Sequence, residues 1–154
     1  MLAEHIASQI YENFAFEPTP AQKNAIDRLG GFLCGDAQDR IFILNGYAGT
    51  GKTSLIAALV KTLSGLRVRT ILLAPTGRAA KVMSRYAGAK AYTIHKKIYR
   101  QKSLASEDAS FSLDYNKEKG AVFIVDEASM LSNYSSDGSI FGSGQLLEDL
   151  IAYI

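Results

Sequence analysis

The chain has 154 residues with a formal net charge of +2, and 47% of them are hydrophobic while 21% are charged. This composition excludes intrinsic disorder and fits one globular domain. A net charge this small gives no support of its own to nucleic-acid binding. Cys34 is the single cysteine, which excludes an internal disulfide and favours a reducing, cytoplasmic location. No run approaches the roughly 20 apolar residues that span a bilayer, so no membrane partner is expected.

Two helices are predicted before the first long apolar run. Apolar residues at helical spacing predict the first of them: Leu2, Ile6 and Ile10. The second is predicted to begin at Pro20 behind a Thr19 cap and to fade at the glycine pair Gly30 and Gly31.

Three short apolar runs then alternate with helical patterns. The runs are RIFILN (40–45), RTILLAP (69–75) and AVFIVD (121–126), and they lack polar alternation. Such runs are typical of parallel strands covered on both faces. Helices ending at Gly65 and Gly88 follow the first two runs. The alternation predicts an α/β fold, a parallel sheet with flanking helices.

Two weaker patterns follow in the second half of the chain. Residues 101–120 are polar, but alternation of Phe111, Leu113 and Tyr115 predicts a short exposed strand. A final helix is predicted in QLLEDLIAYI, after a stretch rich in serine and glycine.

The stretch GYAGTGKTS has the spacing of a phosphate-binding loop. Glycines let backbone N–H groups turn toward phosphate oxygens, and the following helix aims its positive end at the anion. The pattern assigns Lys52 to the β- and γ-phosphates of ATP and the Thr53 hydroxyl to Mg²⁺. The predicted nucleotide-contacting residues of the loop are Gly46, Ala48, Gly49, Thr50, Gly51, Lys52, Thr53 and Ser54.

An acidic pair, Asp126 and Glu127, ends the third apolar run. At the carboxyl end of a parallel strand, Asp126 can face the Mg²⁺ that Thr53 holds. Glu127 can orient or deprotonate the attacking water. Such a pair can also be a solvated turn, but its position after the loop favours ATP hydrolysis, with Lys52 and Glu127 as catalytic residues.

Four segments occur in the order found in superfamily 1 DNA helicases: GYAGTGKTS, APTGRAAKVMS, AYTIHKKIY and VFIVDEASML. The chain most resembles the RecD-like branch, with phage Dda-type helicases as near relatives, over about residues 17–132. The two middle segments are the specific ones, because the outer two occur widely among P-loop ATPases. The resemblance implies a RecA-like P-loop NTPase motor, in which ATP hydrolysis drives 5′ to 3′ movement along single-stranded DNA and duplex unwinding.

The resemblance also implies roles for single residues. Gln22 matches a glutamine that recognises adenine, and the alternative is an exposed polar residue on a helix. The segments that contact single-stranded DNA in relatives contain Thr76, Gly77, Arg78, Thr93 and His95. Thr76 can also cap a helix, and His95 can be structural. Basic residues beside an aromatic suit either DNA or a solvated helix face: Lys96, Lys97, Tyr99 and Arg100.

The family's motor holds ATP between two RecA-like domains, and the chain is expected to be an incomplete first domain. The expected division is N-terminal helices 1–38, a P-loop core 39–132 and a truncated tail 133–154. A strand ending in Gly-Asp-x-x-Gln and the second motor domain are missing, so the chain alone is expected to be inactive. The missing strand would lie between 41–45 and 121–126. The chain is therefore expected either to be marginally stable or to fill the gap by self-association or with its own residues 111–115.

Two other functions stay open at this level. The chain could belong to a P-loop ATPase that is not a helicase, such as a loader or a remodelling ATPase. It could also be a nucleotide-binding module without catalysis.

Overall fold

The computed structural model describes residues 2–36, 40–101, 110–132 and 140–154. These residues form two compact units: Met1–Val68 with Tyr86–Gly88, and Arg69–Arg85 with Ala89–Ile154. Within the described ranges, no helix combines the length and the apolar character that crossing a membrane requires.

Three helices make up most of the first unit: α1 (Leu2–Asn13), α2 (Pro20–Cys34) and α3 (Lys52–Gly65). Helix α1 packs against both of the others. Buried apolar side chains come from all three helices: Ile6, Ile10, Ile26, Leu29, Leu55, Leu59 and Leu63. The Asn13 amide donates a 3.0 Å hydrogen bond to the buried Thr62 hydroxyl, which ties the end of α1 to α3.

Helix α2 does not fade at its glycine pair, as the sequence predicted, but continues to Cys34. Gly30 is buried against α1, where an added Cβ would lie 2.5 Å from the Ala3 carbonyl oxygen. Glycine costs a helix interior only about 1 kcal/mol relative to alanine, and helix packing offsets a cost of that size. The pair therefore permits close helix contact instead of ending the helix.

The first predicted strand, residues 40–45, is wrong. These residues have no regular secondary structure, and they belong to neither sheet of the described chain. Ile41 is 70% exposed and Ile43 is 84% exposed, whereas Phe42 and Leu44 are half-buried. A strand exists only where a neighbouring strand accepts and donates its backbone hydrogen bonds, and apolar composition alone does not supply that neighbour.

A three-stranded parallel sheet lies at the centre of the second unit. Strand β1 (Thr70–Ala74) is followed by helix α4 (Gly77–Ala87) and strand β2 (Ala91–Thr93). Strand β1 is the middle strand, with β2 on one side and Val122–Val125 on the other. The predicted parallel strands at 69–75 and 121–126 are thus confirmed, and they are direct neighbours. Strand β2 was not predicted.

Two helices cover one face of this sheet: α5 (Ile94–Ile98), which the sequence did not predict, and α6 (Leu146–Tyr153), which it did. The core between them and the sheet consists of Ile71, Leu73, Ile94, Ile98, Tyr99, Leu150 and Tyr153.

Strand β3 (Tyr99–Gln101) pairs antiparallel with β4 (Phe111–Leu113) in a separate two-stranded sheet. The remaining strand of the parallel sheet, Val122–Val125, is β5. The predicted short strand is therefore present, but it is half-buried. The expectation that residues 111–115 fill a gap beside the acidic strand is wrong, because β4 bonds to β3 instead.

Candidate nucleotide and nucleic-acid site

The predicted phosphate loop has the backbone geometry that its glycines suggest. Gly49 (φ 78°) and Gly51 (φ 83°) both adopt the left-handed conformation, which is strained for residues with a side chain. Helix α3 begins directly after them, at Lys52. Its N-cap is Gly51, which has no side chain to accept a hydrogen bond from the first turn. The first turn of α3 therefore presents backbone N–H groups and the positive end of the helix dipole without a capping side chain.

The side chain of Lys52 folds back and hydrogen-bonds to the backbone of the loop. Its Nζ donates hydrogen bonds to the carbonyl oxygens of Gly46 (2.5 Å) and Tyr47 (2.9 Å). A Cβ on Gly46 would lie 2.7 Å from the Thr50 hydroxyl, which is too close. Asn45, Gly46 and Tyr47 line an open cavity of about 340 Å³ beside the loop. The ammonium group is thus held over the loop.

The side chain of Gln22 braces the loop from helix α2. Its Nε2 donates a 2.9 Å hydrogen bond to the Thr50 carbonyl, and its Oε1 accepts a 2.8 Å bond from the Thr19 N–H. A side chain at position 51 would be strained, because φ is 83° there, and its Cβ would displace the Gln22 amide from the loop. Sequence analysis missed this role. The signal was the capping-box spacing of Thr19 and Gln22, which fixes the glutamine at the start of α2.

The loop fits a nucleotide phosphate and a magnesium ion on its own chemistry. The glycines leave room where a Cβ would clash, the helix start offers N–H donors, and Lys52 supplies a cation. Thr53 is exposed in the first turn of α3, beside Ser54. Its hydroxyl is a hard oxygen ligand of the kind that Mg²⁺ prefers.

The acidic pair lies at the carboxyl end of β5 in the second unit. The Asp126 N–H donates a 3.0 Å hydrogen bond to the Leu73 carbonyl, so the pairing with β1 extends to this residue. Glu127 is exposed and adopts the left-handed conformation (φ 54°, ψ 34°) just before a 3₁₀ turn, Ala128–Met130. A residue with a Cβ pays about 1–2 kcal/mol for this conformation. Glu127, which the sequence predicted to be catalytic, therefore has a strained backbone conformation.

Residues predicted to contact DNA lie at the same sheet edge as the acidic pair. Because β2, β1 and β5 are parallel neighbours, their carboxyl ends meet at one edge. Thr76 follows β1, Thr93 ends β2, and Asp126 follows β5. The structure thus brings together residues that are 50 positions apart in the sequence (Thr76 and Asp126).

Both threonines cap the helices that follow them. The Thr76 hydroxyl accepts a 3.2 Å hydrogen bond from the Ala79 N–H, and the Thr93 hydroxyl accepts one of the same length from the Lys96 N–H. The structural role considered for Thr76 is therefore present. Gly77 and Arg78, in the first turn of α4, are exposed.

His95 lies in the first turn of α5 among aromatic rings. Its ring centroid is 5.0 Å from that of Phe141 and 5.7 Å from that of Tyr99. Burial lowers the pKa of the His95 imidazole, because removing water disfavours the charged form. The residue is thus biased toward the neutral form, in which it offers one donor and one acceptor.

The basic residues after His95 are largely occupied within the unit. Lys97 bonds to Glu118 (2.8 Å), and Arg100 is 3.6 Å from Asp114. The hydrogen bond from Lys97, with a further contribution from Arg69, lowers the pKa of the Glu118 carboxyl. Tyr99 is buried and cannot stack on a base from its present position. Of this set, Lys96 is exposed.

Thr53 and Asp126 belong to different units, so the magnesium site that would join them stays a prediction.

Comparison with known families places the chain. A profile described as AAA domain matches residues 18–138, which is most of the chain. The chain belongs to this AAA-domain family. The matched range is close to residues 17–132, the range over which the helicase resemblance was recognised.

Two of three relatives of this AAA-domain chain carry the name of a DNA helicase, and the third is a conjugation protein. It is 30% identical to the ATP-dependent RecD2 DNA helicase of Deinococcus radiodurans over 122 residues, 75% of this chain and 16% of that protein. It is 37% identical to the ATP-dependent DNA helicase dda of Enterobacteria phage T4 over 90 residues, 56% of this chain and 20% of that protein. It is 29% identical to the multifunctional conjugation protein TraI of Escherichia coli over 140 residues, 86% of this chain and 7% of that protein.

These matches confirm the resemblance to the N-terminal motor region of RecD-like superfamily 1 helicases and the α/β P-loop fold. The chain spans between 7% and 20% of the length of these three relatives.

Proposed function

We propose that the chain is the ATP-binding part of an ATP-dependent DNA helicase, in which hydrolysis drives movement on single-stranded DNA and duplex unwinding. One observation carries this proposal. The carboxyl edge of one parallel sheet holds the acidic pair at β5 beside the candidate DNA residues at β1 and β2. A change at Asp126 or Glu127 during hydrolysis is thus transmitted through neighbouring strands to the DNA-contacting segments.

The phosphate loop binds the nucleotide. The N–H groups at the start of α3 and the Lys52 ammonium hold the phosphate oxygens, replacing the loop carbonyls that Lys52 contacts in the structure. Gln22 positions the loop and contacts adenine. Thr53 and Asp126 hold the magnesium ion, which when bound neutralises charge that develops on the phosphates. Glu127 accepts a proton from the attacking water.

The single strand binds along the β1 and β2 ends of the sheet edge. The N–H groups of Gly77 and Arg78, at the start of α4, bind a backbone phosphate. Thr93 and His95 contact the next part of the strand. Phosphate contacts of this kind do not depend on base sequence, which suits a motor that must move along any strand.

Two further partners and a cytoplasmic location belong to the proposed function. A second motor domain supplies the other side of the ATP pocket. A second copy of the chain pairs with residues 40–45 when no other strand covers them. The protein acts in the cytoplasm, consistent with a free Cys34 in the described residues. No membrane partner is proposed.

Binding and turnover of ATP by two variants test the catalytic assignment. In the protein that carries this chain, Lys52→Ala is expected to weaken ATP binding about 10- to 100-fold, because it removes charge-assisted hydrogen bonds to phosphate. Glu127→Gln is expected to keep ATP binding and to lower turnover about a hundredfold or more. The matched control is Lys61→Ala, which removes an exposed lysine from the same helix.

The outcomes separate the alternatives. If Lys52→Ala binds ATP as Lys61→Ala does, the loop is not the nucleotide site. If Glu127→Gln turns ATP over at the unaltered rate, Glu127 is not the base. If the unaltered protein binds ATP but turns none over, and Glu127→Gln changes nothing, a module without catalysis becomes the better description.

A further inference from the structure

The segment around Phe141 lies outside every sequence motif, but it forms a wall against the candidate DNA contact His95. The Phe141 ring is edge-on to His95 (centroids 5.0 Å apart) and stacked on Phe111 (4.7 Å). The Tyr99 ring completes the cluster, 5.6 Å from Phe141 and 5.7 Å from His95. Two rings, those of Phe141 and Tyr99, therefore contact one half-buried imidazole, and Phe111 supports Phe141 from behind. Such a cluster restricts the rotamers that the imidazole can adopt.

A buried carboxylate fixes this wall. Asp149 in α6 is only 7% exposed. It accepts hydrogen bonds from the Tyr99 hydroxyl (2.6 Å), the Ser143 N–H (3.0 Å) and the Ser143 hydroxyl (2.8 Å). Burial alone would raise the pKa of Asp149, but the bonds from Tyr99 and Ser143 outweigh it and lower the pKa. A buried, ionised carboxylate is tolerated only with such partners.

The backbone of the Phe141 segment is built for this contact. The Phe111 N–H donates to the Ile140 carbonyl (2.8 Å), and the Gly142 N–H donates to the Phe111 carbonyl (2.9 Å). Gly142 has a positive φ of 50°, and a Cβ there would lie 2.5 Å from the Tyr99 ring and collide with Asp149. The segment is thus held by β4 on one side and by α6 on the other.

We propose that Phe141 and the Tyr99–Asp149 hydrogen bond are positioning elements for the contact between His95 and single-stranded DNA. The inference rests on the proposed function, because it takes His95 as a DNA contact. A side chain whose rotamer is already fixed loses less entropy on binding, so the wall increases affinity without touching DNA itself. It also gives a role to Asp149 and Gly142, which lie far from the helicase-like segments.

Nuclear magnetic resonance of the histidines of the 154-residue chain tests the proposal. The chain has two histidines, and exposed His5 in α1 serves as an internal reference for His95. The imidazole signals are followed while a short oligothymidylate is added. The His95 signal is expected to move and the His5 signal to stay. Tyr99→Phe and Phe141→Leu are each expected to weaken the apparent affinity about two- to tenfold, the worth of one aromatic or hydrogen-bond contact.

The matched control is Tyr153→Phe, which makes the same change in a buried tyrosine of the same core. It is expected to leave DNA affinity unaltered. The Tyr153 ring contacts Phe123, and Tyr153→Phe keeps that ring in place. A second measurement follows the pKa of His95. Burial holds this pKa below its usual value of 6.5. Phe141→Leu is expected to raise it toward that value, since a smaller side chain admits water.

Each outcome supports or overturns one statement. A His95 signal that does not respond to DNA in the unaltered chain overturns the DNA contact of the proposed function. A response that Tyr99→Phe and Phe141→Leu leave unchanged overturns the positioning role alone, and the proposed function stands. An equal loss in Tyr153→Phe attributes the effect to general loosening of the core and also overturns the positioning role.

Discussion

Single side chains in this molecule often do two things at once. Gln22 caps α2 and braces the phosphate loop, and Thr76 caps α4 at the edge where the DNA contacts are proposed. The helicase resemblance singled out both residues, with a helix cap as the alternative role for Thr76 and an exposed position on a helix as the alternative for Gln22. The hydrogen bonds of Gln22 and Thr76 show the structural role, which leaves the functional one to experiment. The reason is geometric, because a cap at the start of a helix lies beside the N–H groups that bind anions.

The Tyr99–Asp149 pair makes a prediction about pH. The pKa of Asp149 is lowered from its ordinary value of 3.8, so the folded state binds its proton less readily than the unfolded state. Its contribution to stability is therefore complete above pH 3.8 and is lost as the pH falls through the lower, folded value. The pKa of Tyr99 is raised above its ordinary value of 10.0, mainly by burial and then by Asp149. Its contribution is complete below pH 10 and is lost as the pH rises further.

Asp149→Asn is expected to flatten the acid side of this profile, leaving the part that belongs to Glu118. It is also expected to cost about 1–3 kcal/mol near neutral pH, because Tyr99 and Ser143 lose an ionised acceptor. Urea unfolding across pH measures both effects. The control, Glu148→Gln, removes the same charge from the exposed neighbouring residue. Equal profiles for the two variants would contradict the account of Asp149.

At the scale of elements, neighbouring glycines in α2 are predicted to behave in opposite ways. Gly30→Ala is expected to destabilise the chain by about 1–3 kcal/mol, since its Cβ would lie 2.5 Å from the Ala3 carbonyl oxygen and 3.2 Å from the Ala7 Cβ. Gly31→Ala meets nothing within 4 Å and is expected to stabilise by up to about 1 kcal/mol. Thermal unfolding followed by circular dichroism measures the difference. Two equal effects would show that α1 does not approach α2 as closely as described.

The elements that sequence predicted well are those whose signals are local. Helix α3 has a glycine loop before it and an apolar period along it, and it was predicted with its observed end at Gly65. Strands β1 and β5 were recognised from apolar runs. The short elements β2, α5 and β3 span only 91–101, too few residues for a periodic pattern. Residues 40–45 show the opposite failure, since an apolar run predicts a strand but not the neighbour that the strand needs.

The candidate site shows the same contrast between parts with a local sequence signal and parts without one. The phosphate loop, the acidic pair and the sheet-edge residues were found from motifs, each of which is continuous in sequence. The wall around Phe141 and the carboxylate of Asp149 that fixes it were not predicted from the sequence. Phe141, Gly142 and Asp149 form no motif with a recognised spacing. Only the packing of β4 and α6 brings them to His95.

At the scale of the whole molecule, residues 40–45 predict self-association. Ile41 and Ile43 are exposed, and the backbone of this segment is paired in neither described sheet. Unpaired apolar segments of this kind recruit strands from other chains. Sedimentation velocity of the 154-residue chain is expected to show association that grows with concentration. Ile43→Lys is expected to reduce this association. The control is Val82→Lys, which makes a similar change at an exposed position of α4. A well-folded monomer at every concentration would contradict this prediction.

The central claim is that ATP hydrolysis at the phosphate loop drives movement on single-stranded DNA. The most direct test is the ATP turnover of the whole protein that carries this chain, measured with and without single-stranded DNA. The account predicts a severalfold rise in turnover on addition of the strand and loss of turnover in Lys52→Ala. Turnover that is equally fast with and without DNA would contradict the helicase account and favour a P-loop ATPase that acts on another substrate.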